Sequence, residues 1–233
     1  MSLFILMFLQ FNIMAKNHVF AVIDASPYVI VEESKLSGVV VDNFNNCIVP
    51  LMNKKGLKVE LRSYPFKRAI NYLKKGEVEG IYLYIKDRSL KYAYSTKSVF
   101  SLKPSICSDQ LEKITSKKTS QYEGVRFSHF HGEYPVKELF NSKAKPLSIS
   151  SDNYAYQALR MLKANRINAI YHPLPAAMEY EKKKHDDLYY DVKCKRLTNK
   201  DIPLHVAFQK QTKIYKQMNS VLDKCLPKIT FGK

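Results

Sequence analysis

Between Leu57 and Ser95 the hydrophobic period of the chain changes twice. Val59 and Leu61 alternate with Lys58, Glu60 and Arg62, the two-residue period of a strand with one buried face. Pro65 stops that strand and opens a helix. Ala69, Ile70 and Leu73 recur there at helical spacing, and Lys74, Lys75 and Gly76 close it with cations and a C′ glycine. Val78 to Ile85 is apolar enough for a strand buried on both faces. Strand, helix and strand with short joints make a βαβ unit, and its two strands are expected to be parallel neighbours.

The unit recurs. Ala69-Ile70-x-x-Leu73-Lys74 and Ile81-Tyr82 match Ala158-Leu159-x-x-Leu162-Lys163 and Ile170-Tyr171 at a constant offset of 89 residues. Between them Gly76 falls opposite Asn165, and both residue types tolerate the left-handed conformation that ends helices. Two readings stay open: a related architecture in both halves, or the shared grammar of any two amphipathic helix–strand units.

Elsewhere strands and helices alternate. Val19 to Ile23 reads as a strand, Asp24-Ala25-Ser26-Pro27-Tyr28 as the turn at its end, and Val29 to Val31 as extended. Asp42 is placed to cap a helix carrying Phe44, Ile48 and Leu51 that stops at Lys54-Lys55-Gly56. Val99 to Cys107 is an apolar-leaning segment broken by Lys103-Pro104, and Asp109 to Gln121 reads as a helix fragment plus loop. Val125 to Phe130 is strand-like, followed by a turn at His131 to Pro135 and a short helix through Leu139 and Phe140. Leu147 to Ile149 is a short strand, and Asp152 can cap the repeated helix. Glu179 to Asp187 reads as a charged helix end and solvated loop, Tyr189 to Leu197 and Pro203 to Phe208 as strands, and Thr212 to Leu226 as an amphipathic terminal helix. The class is α/β with parallel sheets.

Length and composition narrow this little further. The 233 residues allow one large domain or two smaller ones, and 45% hydrophobic with 25% charged residues is ordinary for a globular protein and excludes extended disorder. The net charge of +17 comes from scattered lysines, and runs such as Lys182-Lys183-Lys184 read as a solvated loop. A positive field would speed capture of anionic solutes, while no motif supports specific nucleic-acid binding. Leu3 to Met14 is too short to span a bilayer and suits the apolar core of a signal peptide, with Ala15 before the cleavage point. Residues 1–15 are therefore expected to be an export signal, although no Lys or Arg precedes the apolar run, and a buried N-terminal strand is the alternative.

The chain from about residue 18 to 226 resembles the extracellular solute-binding proteins of the polar-amino-acid type, which have the class-II periplasmic binding fold. The resemblance rests on Ser26-Pro27-Tyr28 after the first strand, Leu36-Ser37-Gly38-x-x-Val41-Asp42, and Gly56-Leu57-Lys58-Val59-Glu60. It continues in Tyr64-Pro65-Phe66-x-Arg68-Ala69, Gly76-Glu77-Val78-Glu79-Gly80, and Arg88 followed by Tyr94-Ser95. It implies two Rossmann-like α/β lobes with mostly parallel sheets and a two-segment hinge. Lobe one would be residues 18–102 plus 206–233, and lobe two residues 103–205. A ligand would sit between them at the C-terminal strand ends, and closure would be a hinge motion.

The resemblance also nominates ligand-binding residues. Arg88 would hold a ligand carboxylate through its guanidinium fork, although the approach from the preceding strand is shorter than in the family. Tyr28, Tyr82 and Tyr84 follow strand ends on the cleft side, and Tyr64 and Phe66 stand where an aromatic wall is expected. Plain core packing is the alternative for these rings. His131-Gly132-Glu133 would offer an anion site at a helix N-terminus. Amino-acid binders carry an Asp near the strand end occupied here by Tyr171-His172-Pro173, and no carboxylate follows until Glu179. A zwitterionic amino acid would lack its ammonium partner, so an anionic or aromatic solute is expected, with protonated His131 or His172 assisting.

The layout places Cys47 with Cys225 in lobe one and Cys107 with Cys194 in lobe two, pairs that an oxidising periplasm would allow to bridge. The spacing of His129, His131, His172 and Glu133 does not support a metal site, and no cofactor is expected. No Gly-x-Ser-x-Gly elbow supports Ser–His–Asp catalysis. The expected function is capture of a small solute by an exported monomer, without chemistry, for an ABC-type membrane permease. Two alternatives are kept: a dehydratase of prephenate-like acids on the same fold, with Glu133 as its acid, and a ligand-sensing module.

Overall fold

A computed structural model describes residues 17–33, 35–86, 91–115, 122–130, 139, 143–150, 153–172, 174–188, 191–210 and 212–226. The apolar N-terminal segment, the turn at 131–135 and the expected cap at Asp152 lie outside the described residues.

The strands divide between two large sheets. The first contains β1 (His18–Val22), β4 (Val59–Ser63), β5 (Gly80–Ile85), β6 (Ala93–Tyr94), β7 (Phe100–Leu102) and β13 (Ile202–Phe208). Its order is β4-β1-β5-β13-β6, with β7 also on β13; β4, β1 and β5 are parallel and β13 is antiparallel to β5. The second contains β8 (Ser105–Ser108), β9 (Arg126–Phe130), β10 (Lys145–Ile149), β11 (Ala169–His172) and β12 (Lys193–Arg196) in the order β10-β9-β11-β8-β12. Here β10, β9 and β11 are parallel and β8 is antiparallel to β11. Each sheet thus has three parallel strands followed by one of opposite sense. A small hairpin of β2 (Ile30–Glu32) and β3 (Lys35–Ser37) stands apart.

The flanking strands of the βαβ unit are parallel but are not neighbours. Phe20, Ala21 and Val22 of β1 are wholly buried, and this strand lies between β4 and β5. The same insertion occurs in the second sheet, where β9 separates β10 from β11. The chain re-enters the first sheet at Ile202, four residues ahead of the expected boundary at 206.

The repeat is architectural. α3 (Phe66–Lys75) packs on β5 in the first lobe, and α5 (Tyr154–Lys163) packs on β10 and β11 in the second. Ala69 and Leu73 are buried like their counterparts Ala158 and Leu162. Gly76 and Asn165 both have positive φ, at 71° and 55°. The next N–H closes the same bond in each: Glu77 donates to Tyr72 O and Arg166 to Met161 O, both at 2.9 Å.

Both faces of each sheet are covered. In the first, α1 (Val39–Asn43), a π-helical stretch (Phe44–Ile48), α2 (Val49–Asn53) and α7 (Lys213–Cys225) enclose Phe20, Phe44, Tyr82, Val206 and Phe208. On its other face α3 encloses Ala21, Ile81, Tyr84 and Ala207. In the second, α5 and α6 (Pro175–Lys184) cover Ile170, and α4 (Leu111–Thr115) lies with Ile106, Phe127 and Tyr171. Residues 179–184, expected as a helix end and loop, belong to the full helix α6, which Pro175 opens in its first turn.

Asp42 does not cap α1. The helix starts three residues earlier, after Gly38, which has φ 103° and lies so close to Tyr28 that an added Cβ would stand 2.5 Å from its carbonyl oxygen. Thr212 does cap α7, its hydroxyl accepting from Tyr215 N–H at 3.4 Å. Disulfides join Cys47 to Cys225 and Cys107 to Cys194, the latter a directly opposed pair on β8 and β12.

Gly38→Ala should therefore lower stability by about 1–3 kcal/mol in urea unfolding, because positive φ and carbonyl contact both oppose a side chain. Alkylation of the unreduced, unfolded protein should label none of the four cysteines, and labelling of any pair would contradict the bridge assigned to it.

Candidate functional site

Two chain segments link the sheets: Lys103-Pro104 between β7 and β8, and residues 197–201 between β12 and β13. They are tied to each other by Leu197 N–H donating to Pro104 O at 2.9 Å. Away from them, side chains at the C-terminal ends of the parallel strands meet across the gap. Phe66, the first residue of α3 after β4, sits edge-on to Phe130, the last residue of β9, with ring centroids 6.4 Å apart. Leu174, just beyond β11, packs against buried cores of both lobes. Lys184 of α6 pairs with Glu32 of the hairpin at 2.6 Å.

Aromatic contacts continue from Phe66 into each lobe. Tyr84 stacks on Phe66 at 6.1 Å and on Tyr94 at 6.4 Å, and Tyr92 meets Tyr84 edge-on at 6.3 Å. On the other side Phe130 sits edge-on to Tyr154 at 6.0 Å, and Tyr154 lies over His172 at 5.3 Å. Tyr154 is fixed by its hydroxyl, which donates to Tyr171 O at 2.8 Å and lies 3.1 Å from Ser128 Oγ. Tyr92 adds a buried hydroxyl without a hydrogen-bond partner among the described residues.

The expectation that Tyr82 and Tyr84 share the cleft side is corrected. Along β13 the step from Ala207 to His205 covers two residues, while its partners on β5, Ile81 and Tyr84, are three apart. The extra residue is a β-bulge around Leu83, whose φ of 68° is left-handed. The bulge inverts the alternation. Tyr82, 1% exposed, packs in the helix-covered core edge-on to Phe44, and its unpartnered hydroxyl is held well above the ordinary phenol range by burial. Tyr84, 8% exposed, turns instead toward Phe66. Tyr28 is half-buried against Phe100 at 4.7 Å, and its carbonyl accepts from Val40 N–H. Tyr64 packs edge-on to Tyr72 within the α3 side of the first lobe.

His172 also differs from expectation. It is 8% exposed, and burial holds its pKa at about 3, well below the usual imidazole value. Leu174 N–H donates to its Nδ1 at 2.9 Å. The ring is therefore neutral near physiological pH and cannot serve as a cation for an anionic solute. Arg88, His131, Gly132 and Glu133 lie outside the described residues.

The carboxylate that sequence reading missed is Glu181 on α6. It is 5% exposed, and its pKa is raised first by burial, with Asp24 and Glu32 of the first lobe adding to the rise and His185 and Lys184 opposing it. Phe130 and Tyr154 were missed as well. Tyr154 opens α5 as Phe66 opens α3, but the offset of 89 residues pairs Phe66 with Ala155, so the repeat alone did not mark it.

Two cavities among the described residues, of about 430 and 230 Å³, lie elsewhere. The larger is lined by Asn17, Gly56, Lys58 and Val59, and the smaller by Asp109, Val125 and Asn168. Both are at N-terminal strand edges, opposite the edge where doubly wound sheets bind ligands, so the cleft rather than either cavity is the candidate site.

By sequence the chain matches no family model and no curated protein. Its fold matches solved two-lobe proteins. The GluR0 ligand-binding core in complex with L-glutamate has TM-score 0.73 and 11% identity over 92% of this chain and 94% of its own. An ancestral arginine-binding protein bound to arginine has TM-score 0.69 and 19% identity over 89% and 91%. The ancestral amino-acid-binding protein AncCDT-1, a precursor of cyclohexadienyl dehydratase, has TM-score 0.65 and 18% identity over 89% and 88%. The chain has the two-lobe α/β fold of the periplasmic amino-acid-binding proteins.

Nitrogen-detected histidine spectra provide a test. His172 should stay neutral with its proton on Nε2 from about pH 5 to 8, because a pKa lowered by burial leaves the charged form populated only in stronger acid. Titration near the ordinary imidazole value would contradict this placement.

Proposed function

We propose that this chain is a solute-binding protein that captures a small carboxylate with a flat or apolar body between its lobes and releases it unchanged. The observation that carries the reading is the line of rings from Tyr84 through Phe66 and Phe130 to Tyr154, which crosses between lobes at matching C-terminal strand ends. A planar solute can replace ring–ring contacts there at little cost. Each such contact contributes only about 0.5–1.5 kcal/mol, and an exposed ion pair such as Lys184–Glu32 about 1 kcal/mol or less. These contacts guide closure but are too weak to hold the lobes shut against a solute's entry.

Arg88 is assigned the solute carboxylate, with Tyr28, Tyr84 and Phe66 as the wall in lobe one. His131, Gly132 and Glu133 are assigned to the solute on the strength of the sequence resemblance alone. The two disulfides fit an oxidising compartment, and the chain is read as an exported monomer that delivers its solute to a membrane permease. Among the described residues no helix is long and apolar enough to cross a membrane.

A thermal-shift screen of organic acids, amino acids and polyamines tests the solute class. A carboxylate with an aromatic or apolar body at about 100 times its dissociation constant should add roughly 2.7 kcal/mol. Arg88→Ala should weaken it by roughly ten- to a hundredfold, as expected for loss of a charge-assisted hydrogen bond. Tight binding of lysine or a polyamine, unchanged in Arg88→Ala, would contradict the reading. Prephenate should be recovered intact after incubation with the protein, whereas its dehydration would favour the enzyme alternative. Mass spectrometry of protein made in its own host should find processing near Ala15, and mature protein retaining Met1 would contradict export.

A further inference from the structure

His172 closes β11 at the edge of the second sheet that meets the first lobe, beneath the contact of Tyr154, Phe130 and Phe66. Its two ring nitrogens have separate tasks. Leu174 N–H donates to Nδ1 at 2.9 Å, and an N–H can only donate, so Nδ1 carries no proton. The neutral ring then bears its proton on Nε2. No hydrogen bond to Nε2 is made among the described residues, and the residue as a whole is 8% exposed.

We propose that His172 is the specificity-determining donor of the cleft: its Nε2–H reads an oxygen acceptor on the solute and so selects 2-oxo acids over the corresponding 2-amino acids. This rests on the carboxylate-binding reading given above. An ammonium group has donors only and cannot receive the Nε2 proton, so facing it would leave one donor on each side unpaired once the closed lobes exclude water. A carbonyl oxygen brings lone pairs and no proton, which complements the fixed tautomer. Among the described residues the ring in contact with His172 is Tyr154, whose hydroxyl is engaged with Tyr171 O and Ser128. Selection comes from the direction of one hydrogen bond and involves no change of charge on the protein.

Calorimetry near neutral pH with phenylpyruvate against phenylalanine, and 2-oxoglutarate against glutamate, tests this in the wild type, His172→Gln and His172→Asp. In whichever pair binds, the oxo acid should bind roughly ten- to a hundredfold more tightly than the amino acid. His172→Gln, which keeps an amide donor, should preserve that order. His172→Asp, which replaces the donor by an acceptor, should reverse it. Equal or tighter wild-type binding of the amino acid overturns the donor assignment and leaves the solute-binding reading standing. Failure of the wild type to bind any of the four overturns both. Should His172→Asp not fold, wild-type nitrogen spectra decide alone: the bound oxo acid should shift the His172 Nε2 resonance, and an unchanged resonance in a saturated complex overturns the proposal.

Discussion

Two short crossings, Lys103-Pro104 and residues 197–201, connect the sheets, and the hydrogen bond from Leu197 N–H to Pro104 O holds them together. This narrow link sets the geometry of the rest. It lets each sheet bury its own faces independently, and it leaves the C-terminal ends of both parallel strand sets opposed. Phe66 and Phe130 meet there, and Leu174 packs on both lobes, because each lies at or within three residues of a strand's C-terminal end. A few cross-lobe contacts of about 1 kcal/mol each are small beside the buried core of either lobe, so a hinge motion costs little structure.

Within that frame, local departures from regular structure aim the side chains of the site. The bulge at Leu83 turns Tyr84 from the face of Tyr82 to that of Ile81, which converts a core position into part of the aromatic line. Gly38 lets the α1 backbone approach the Tyr28 carbonyl and so secures the turn after β1. On the other lobe, Leu174 N–H sets the tautomer of His172. A left-handed Leu and a buried neutral His are each unfavourable in isolation, and both fall beside the cleft, where structure commonly departs from local preference.

Much of this was legible in the sequence because the signals were local. The helix–strand period, the helix end at Gly76 and the repeat at Ala69 and Ala158 depend on neighbours a few residues away. The matched order β4-β1-β5 and β10-β9-β11 gave the repeat its meaning. What failed depended on distant partners. The insertion of β1 between β4 and β5 involves a strand about 40 residues upstream and leaves no mark in the βαβ unit itself. Tyr82 and Tyr84 looked equivalent because a bulge leaves the alternating pattern intact in the sequence. His172 read as a titrating cation because neither its burial nor the N–H of Leu174 is visible in Tyr171-His172-Pro173, and Glu181 sat within a stretch read as a charged helix end and solvated loop.

The central claim is that two lobes close on a solute between them, and a distance across the gap tests it most directly. All four native cysteines are in disulfides, so Lys67→Cys on α3 and Lys183→Cys on α6, both at exposed positions, would be the sole reactive thiols for spin labels. Pulsed electron–electron resonance with and without saturating phenylpyruvate should show a broad distribution of open and closed separations collapsing to the shorter one. A single unchanged distance in the saturated complex would contradict the account.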